Sequence, residues 1–203
     1  MYVNSPFGIS ISHNGNLTNS EELTLELRNK DLRHLNTDSD SEVLLNIFAH
    51  ELQQMGKPKP ASEDIFQAVG NLHKRVKGAY SVVVMINGVG IVAFRDPYGI
   101  RPLILGSKES DLIGKDYLIA SESTVLDALG FQVIQDVPAG SAVFISPEGT
   151  LEMKSCIKEP KPTPCIFEYV YLARPDAKID KISVHKSRLR MGESLANKII
   201  QEK

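Results

Sequence analysis

Alternating apolar and polar residues mark the first element of the chain. In the segment "FGISISH", residues 7–13, Ile9 and Ile11 alternate with small or polar residues. This period of two predicts a half-buried β-strand. The pair Asn14-Gly15 follows at once, and because Asn-Gly is common in tight turns, we expect the strand to end there.

Spacings of three and four replace this alternation further along the chain. They predict three amphipathic helices, over about residues 18–30, 40–55 and 63–76. The segments Thr18–Glu21 and Ser39–Glu42 both match a capping box, in which a hydroxyl and an acidic side chain satisfy free N–H groups at a helix start. The first third of the chain is therefore expected to be mainly helical after one strand.

Short apolar runs rich in β-branched residues follow the third helix. The runs Ala79–Ile86 and Val89–Phe94 flank Asn87-Gly88, which predicts a β-hairpin. A short helix is expected over about residues 122–129. Further strands are predicted in the segments "RPLILG", "DYLIAS", "QVIQ", "SAVFIS" and "TLEMK". Helices followed by many strands predict an α+β fold, with helices packed on one or two sheets.

A Pro- and Lys-rich segment, "KEPKPTPC", interrupts the pattern and is typical of a linker. It divides the chain into a domain over residues 1–155, a junction over 156–182 and the start of another unit over 183–203. We expect an aromatic strand in "FEYVYL" and a helix from Val184 to the end. The chain opens almost directly into a strand and closes inside a helical pattern, so we expect a piece of a longer protein.

Composition excludes several classes of function. The formal net charge is −2 and no basic block is present, which argues against nucleic acid as the partner. The longest apolar run is too short to span a bilayer, and no signal-peptide pattern is visible at the start, so no membrane partner is expected. Two cysteines do not form a disulfide framework, and a reducing, cytoplasmic setting follows.

Most local motifs have an ordinary structural interpretation. Residues 88–93, "GVGIVA", match a relaxed dinucleotide-binding pattern, but a phosphate-binding glycine turn must open a helix, and this one leads into a strand. The five histidines show no metal-ligand spacing, so no metal site is predicted. Cys156 and Cys165 lie in no nucleophile motif and are expected to be buried or incidental thiols.

Three residues have two possible roles on the sequence alone. Asn14 and Gly15 can form an ordinary turn, or an asparagine amide and a glycine N–H can together stabilise the oxyanion of an attacked carbonyl. Asp40 can stabilise the start of a helix through its dipole. Its carboxylate can equally bind the ammonium group of a ligand.

Several long segments taken together resemble one enzyme family, the glutamine phosphoribosylpyrophosphate amidotransferases, also called amidophosphoribosyltransferases. The resemblance runs in order along essentially the whole chain. The segments are "YVNSPFGISISHNGNLTNSEEL", "HLNTDSDSEVLLNIFAHEL", "GAYSVVVMI", "VAFRDPYGIRPLILG", "YLIASES" and "FEYVYLARPD".

The resemblance implies a fold and a reaction. It implies an N-terminal nucleophile (Ntn) hydrolase αββα sandwich, here incomplete, followed by the start of a phosphoribosyltransferase domain. In that family an N-terminal cysteine attacks glutamine and releases ammonia and glutamate. The ammonia then displaces pyrophosphate from phosphoribosyl pyrophosphate and gives 5-phosphoribosylamine. This is the first committed step of purine synthesis. By the same resemblance Asn14 and Gly15 form the oxyanion hole, and Asp40 holds the glutamine α-amino group.

The departures from the family pattern limit what these residues do alone. The cysteine nucleophile and a carboxylate-binding segment belong before residue 1, and the phosphoribosyl-pyrophosphate loop belongs after Lys203. No nucleophile is assigned within this chain, and we expect the 203 residues alone to be inactive. The full-length enzyme is expected to use Mg²⁺ outside this chain and to form a homo-oligomer. Cys165 lies near a family iron–sulfur ligand, but one thiol cannot hold a cluster, so none is expected.

Two other interpretations remain open at this stage. Glucosamine-6-phosphate synthase, asparagine synthetase and glutamate synthase resemble the same glutaminase fold, so the chain can belong to another amidotransferase of that class. A non-catalytic binding or regulatory module that kept the fold is the alternative from a different functional class.

Overall fold

A computed structural model describes residues 1–110 and 114–202 of the chain. The helices are α1 (Ser20–Asn29), α2 (Asp40–Gln53), α3 (Ser62–Arg75), α4 (Ser123–Ala128) and α5 (Val184–Gln201). The strands are β1 (Tyr2–Val3), β2 (Ile9–Leu17), β3 (Gly78–Ile86), β4 (Gly90–Arg95), β5 (Ile104–Ser110), β6 (Gly114–Ala120), β7 (Gln132–Asp136), β8 (Ser141–Ile145), β9 (Leu151–Ser155), β10 (Lys178–Ile179) and β11 (Ile182–Ser183). A π-helical turn spans Glu168–Leu172.

Two antiparallel sheets are stacked in the centre of the fold. The larger has the strand order β1-β2-β3-β4-β8-β9, and the smaller has the order β6-β5-β7. Helices α1, α2 and α3 cover the outer face of the larger sheet, while α4 packs against β6 and β7 of the smaller one. Because α4 is a single short helix, the second helical layer is thin, and the arrangement is the incomplete αββα sandwich that was expected.

Alternation along the central strands builds two separate cores. On β4, Val92 and Phe94 face the helices, whereas Ala93 faces the smaller sheet. Phe94 packs near the ring of Phe48 from α2, with 5.9 Å between the ring centroids. Leu105 of β5 completes the core between the sheets. Each fully buried side chain of this size stabilises the fold by roughly 1.5–3 kcal/mol.

The predicted turn at Asn14-Gly15 is wrong. Strand β2 continues through both residues to Leu17 and pairs with β3 along its whole length, with Gly15 opposite Tyr80. Gly15 has φ +150°, and a Cβ there would collide with the Ala79 carbonyl oxygen and lie 2.8 Å from the Tyr80 Cα. Glycine is therefore required here by a close approach of two backbones and not by a turn.

Neither predicted capping box forms. Helix α1 begins after Asn19, which makes no side-chain cap and instead donates its Nδ2 to the Arg75 carbonyl oxygen at 3.0 Å. At α2 the Ser39 hydroxyl accepts from the Ser41 N–H, but Glu42 turns away from its own helix start. The pattern located both helices correctly, because the apolar face decides the helix and the cap adds only about 1 kcal/mol.

Later elements follow the sequence with one exception. The Asn87-Gly88 hairpin, the short helix α4, strands β5 to β9 and the long helix α5 all form as predicted. The aromatic strand expected in "FEYVYL" is wrong, because Glu168–Leu172 form a π-helical turn. In the sequence the aromatic residues Phe167, Tyr169 and Tyr171 recur at every second position, as in a strand. The turn instead buries the adjacent pair Glu168 and Tyr169 and leaves Phe167 and Tyr171 exposed.

The division into residues 1–155, 156–182 and 183–203 stays a prediction. Strand β9 ends at Ser155, where the proposed first domain ends. Beyond it, a small apolar cluster joins the junction to the start of α5. It consists of Tyr169, Ala173, Ala177, Ile179 and Val184.

Candidate functional site

Asn14 lies in β2, and its side chain meets two other segments. Its Nδ2 donates to the Ser121 hydroxyl at 3.3 Å, just after β6. Its Oδ1 accepts from Nη2 of Arg101, in the loop between β4 and β5. The carboxamide is thus held from both ends and half-buried.

A tight turn after β4 places Arg101. Asp96 is fully buried, and its carboxylate accepts the backbone N–H groups of Tyr98 at 2.9 Å, Ile100 at 3.0 Å and Arg101 at 3.3 Å. A carboxylate that accepts several N–H bonds replaces its lost hydration and fixes the loop around it. The "RDPYGIR" segment is therefore a rigid support that aims Arg101 at β2.

Asp40 lies beside the strand residues that flank the Asn14-Gly15 pair. Its Oδ2 accepts the Leu17 N–H at 3.1 Å, and its Oδ1 lies 3.9 Å from Nδ1 of His13. The Asp40 side chain is 24 % exposed, so its carboxylate remains open to solvent. Asp40 at the start of α2 and Asn14-Gly15 in β2 are thus brought to the same end of the strand.

His13 is a part of this region that the sequence reasoning did not identify. Its side chain is almost fully buried, and Nδ1 lies 3.0 Å from the Ser41 hydroxyl oxygen. Burial lowers the pKa of His13, Asp40 partly opposes that change, and the charge of Arg101 adds to it. A neutral imidazole at pH 7 follows, and within the described residues its Nε2 has no hydrogen-bond partner.

The junction is fastened to the same region through two arginines. Arg95 is buried, and its guanidinium makes a two-pronged ion pair with Asp180 at 2.7 and 2.9 Å. Burial favours loss of the Arg95 proton, but the hydrogen bonds and charge of Asp180 outweigh it and raise the Arg95 pKa. Arg101 lies 2.7 Å from an oxygen of Glu168, which is buried in the π-helical turn.

Burial and a nearby positive charge have opposite effects on the pKa of the Glu168 carboxylate. Burial raises its pKa, and the nearby charge of Arg101 works in the opposite direction. Its Oε1 is close to Arg101 Nη1, yet the angle does not satisfy a hydrogen bond, so the contact is an ion pair only. Arg101 therefore joins the candidate oxyanion residue Asn14 to the junction.

The two cysteines lie apart from this arrangement. The Cys156 carbonyl oxygen packs against Gly70 of α3, and burial raises the pKa of the Cys156 thiol to about 11. Such a thiol is protonated at pH 7 and is a poor nucleophile. Cys165 is half-buried in the junction and, like Cys156, is a free thiol.

Residues 88–93 form the hairpin turn and β4, so no phosphate-binding helix follows the glycines. Within residues 1–110 and 114–202, no three His, Cys, Asp or Glu side chains are grouped as metal ligands. In the same residues no helix is both long and apolar enough to cross a membrane.

Sequence reasoning named Asn14, Gly15 and Asp40 but missed the residues that hold them. Arg101 and Glu168 are distant in sequence from Asn14, and only the packing of the loop and the junction brings them together. The run "RDPYGIR" predicts a turn after a buried strand, but nothing in it indicates that Arg101 meets Asn14.

This chain is similar to known amidotransferases. The model of the glutamine amidotransferase domain matches residues 2–128. This chain belongs to the glutamine amidotransferase family. The amidophosphoribosyltransferase of Pseudomonas aeruginosa is 58 % identical over 202 residues, which is 100 % of this chain and 40 % of that relative. The Escherichia coli amidophosphoribosyltransferase is 51 % identical over 201 residues, 99 % of this chain and 40 % of that relative.

The solved structures agree with the family and the fold. The glutamine phosphoribosylpyrophosphate amidotransferase of B. subtilis, complexed with ADP and GMP, superposes with a TM-score of 0.79 and 30 % identity, covering 97 % of this chain and 40 % of that one. The amidotransferase domain described here thus has the Ntn-hydrolase type of glutaminase fold. The chain spans about 40 % of the length of the curated relatives it matches.

Proposed function

We propose that this chain supplies the glutamine-binding and oxyanion-stabilising part of an amidophosphoribosyltransferase. The observation that carries the proposal is the meeting of Asp40 with the Asn14-Gly15 strand segment, within a chain that is 58 % identical to an enzyme of that name. The overall reaction proposed converts glutamine and phosphoribosyl pyrophosphate to 5-phosphoribosylamine, glutamate and pyrophosphate.

The proposed chemistry uses two donors and one carboxylate. When a thiolate attacks the glutamine side-chain carbonyl, negative charge develops on its oxygen. The Gly15 N–H and the Asn14 Nδ2 are the donors assigned to that oxygen, and one such donor contributes about 100- to 1000-fold in rate. The Asp40 carboxylate, which is partly exposed, is assigned to the glutamine α-ammonium group.

The nucleophile is not assigned to either cysteine of this chain. Burial keeps Cys156 protonated, and Cys165 lies in the junction. The resemblance places the attacking cysteine at the N-terminus of the mature enzyme, and the proposal assigns the attack to that residue. Magnesium belongs to the phosphoribosyl-transfer half of the proposal, and since the described residues offer no grouped metal ligands, no step here uses it.

The decisive experiment measures glutamine-dependent and ammonia-dependent synthesis of phosphoribosylamine by the product of the whole open reading frame. Asn14→Ala should lower kcat with glutamine by about 100- to 1000-fold. Asp40→Asn should act mainly on the KM for glutamine, raising it about 10-fold or more, because it removes a ground-state contact. With ammonium salts as nitrogen donor, both variants should match the unmodified protein.

Other results would contradict the proposal in distinct ways. Equal losses with glutamine and with ammonia would show that the substitutions damage the fold, and no loss with either donor would remove Asn14 and Asp40 from the site. Binding of glutamine without any turnover by the whole product would favour the non-catalytic module. Another amidotransferase of the same class is not favoured, because the relatives described above are amidophosphoribosyltransferases.

Assembly and location complete the proposal. Helix α5 leaves Leu189, Leu195 and Ile199 about half exposed, and apolar side chains in such number favour a covering partner. We assign these exposed side chains to an interface with other parts of the same enzyme, which is expected to form a homo-oligomer. The two free thiols favour a reducing, cytoplasmic location. Sedimentation of the whole product should show dimers or larger species, and a strict monomer would contradict it.

A further inference from the structure

The orientation of the Asn14 carboxamide is decided by one neighbour. A guanidinium has only donors, so the side-chain atom of Asn14 that faces Arg101 must be the oxygen. Turning the amide round would bring N–H groups against N–H groups and leave these donors unpaired, which is unfavourable. Arg101 therefore directs the Nδ2 donors of Asn14 to the other side.

The same contact strengthens the donor. A positive group that donates to the amide oxygen withdraws charge from the carboxamide, and hydrogen bonds in such a chain polarise one another. The Asn14 N–H groups are thereby made better donors to a developing oxyanion. The competing partner of Nδ2, the Ser121 hydroxyl, is at 3.3 Å, a long contact for a hydrogen bond of this kind.

Arg101 is itself held from two sides. Its backbone N–H is fixed by the buried Asp96 carboxylate, and its guanidinium lies 2.7 Å from Glu168 in the π-helical turn. That turn is tied to α5, because Arg188 donates to the carbonyl oxygens of Tyr169 and Ala173, at 2.8 Å each. A continuous path of contacts thus runs from α5 through the junction to Asn14.

We propose that Arg101 is a positioning residue that orients and polarises Asn14 as the oxyanion donor, and that Glu168 sets Arg101 from the junction. This inference rests on the proposed function of the site. It adds to that function a link by which the junction controls the rate of glutamine attack. If the π-helical turn moves Glu168 away from Arg101, the Arg101 guanidinium loses its ion pair and no longer fixes the orientation of the Asn14 amide.

The kinetic test uses the product of the whole open reading frame. Arg101→Met should lower kcat for glutamine hydrolysis by about 10- to 100-fold, less than loss of the donor itself, with less than about a 3-fold change in the KM for glutamine. Arg101→Lys keeps a positive donor and should recover part of the loss. Arg174→Met is the matched control, because Arg174 is an exposed junction arginine paired with Asp176.

A double-mutant cycle separates positioning from a general effect on the fold. If Arg101 acts through Asn14, then Arg101→Met should cause little further loss in an Asn14→Ala background. Glu168→Gln should lower the same kcat in the same direction, by a smaller factor than Arg101→Met. Additive losses, or a fall in the thermal midpoint that accounts for the lost activity, would overturn the inference while leaving the proposed function intact.

A spectroscopic arm makes the result independent of turnover. The side-chain ¹⁵NH₂ signals of Asn14, assigned by their loss in Asn14→Asp, should shift in Arg101→Met and in Glu168→Gln but not in Arg174→Met. Unmoved signals in Arg101→Met would overturn the inference. If the unmodified protein hydrolyses no glutamine, the proposed function fails, and these signals still decide whether Arg101 orients Asn14.

Discussion

The replacement of Gly15 by alanine tests how β2 and β3 pack against each other. Gly15 has φ +150° and is the seventh of the nine β2 residues that pair with β3. An alanine Cβ at this position would collide with the Ala79 carbonyl oxygen and lie 2.8 Å from the Tyr80 Cα. Both obstacles are backbone atoms, so no side-chain rotation relieves the contact.

Two costs follow from this geometry. Holding a non-glycine residue in such a backbone conformation costs about 1–3 kcal/mol. Forcing an extra carbon into a packed site costs about 1–3 kcal/mol more. Gly15→Ala should therefore reduce the free energy of unfolding by about 2–6 kcal/mol, a large part of the about 5–15 kcal/mol that stabilises a typical domain.

Equilibrium unfolding in urea, followed by circular dichroism, measures this difference. Gly56→Ala is the matched control, because Gly56 has φ +67° but nothing within 4 Å of a Cβ. It should cost only the backbone strain, about 1–2 kcal/mol. Gly192→Ala, in the exposed part of α5 with open space around it, should stabilise its helix by about 0.5–1 kcal/mol.

The comparison between the two strained glycines decides the reasoning. If Gly15→Ala and Gly56→Ala reduce the free energy of unfolding equally, the strands separate freely and the close approach has no energetic weight. If Gly15→Ala leaves the free energy of unfolding unchanged, the strained backbone conformation described for residue 15 is wrong. A cost at Gly15 that exceeds that at Gly56 by 1 kcal/mol or more supports the packing described here.

Three further predictions concern titratable or charged side chains that are wholly or partly buried. Burial lowers the pKa of His73 to about 4, so the unfolded chain takes up a proton near pH 6.5 and the folded chain only near pH 4. Urea titrations should therefore show the free energy of unfolding falling by up to about 3 kcal/mol as the pH is lowered from 6.5 to 4, and His73→Gln should remove most of this pH dependence. Burial favours a higher pKa for Glu42, but hydrogen bonds from the preceding loop outweigh it and lower the pKa, so Glu42 stabilises the fold above about pH 4.5 and loses this effect on acidification. Glu42→Gln should reduce the free energy of unfolding by about 2 kcal/mol at pH 7, and an unchanged urea midpoint would contradict this. Asp180→Ala leaves the buried Arg95 without its partner and should lower the unfolding free energy by about 2 kcal/mol, whereas Asp176→Ala, in an exposed pair, should change it by less than about 0.5 kcal/mol.

The locations of the helices and most strands were predictable because they depend on local spacing. The apolar residues of α2 and α3 recur with helical period, and those of β3 and β4 form short runs joined by Asn87-Gly88. The conspicuous local failure was the π-helical turn, where aromatic residues recur at every second position of the sequence, as in a strand, although their burial does not alternate. Period alone cannot separate these two over five residues.

The candidate site was predictable only in part. Asn14, Gly15 and Asp40 were singled out by their chemistry, the family resemblance assigned their roles, and those roles remain predictions. Arg101 and Glu168 were not named, since nothing near them in sequence indicates that they meet Asn14. Long-range contacts of this kind carry no periodic signal.

The sequence by itself determined where the chain forms helices and strands, which faces are apolar, and which family it resembles, because these properties reside in short segments. Only the tertiary structure decided that Asn14-Gly15 continue a strand. The reason is that β3 lies against Gly15 too closely for any Cβ, a fact about a neighbour more than sixty residues away. The tertiary structure likewise decided which end of the Asn14 amide is the donor, because a guanidinium from another loop can only donate.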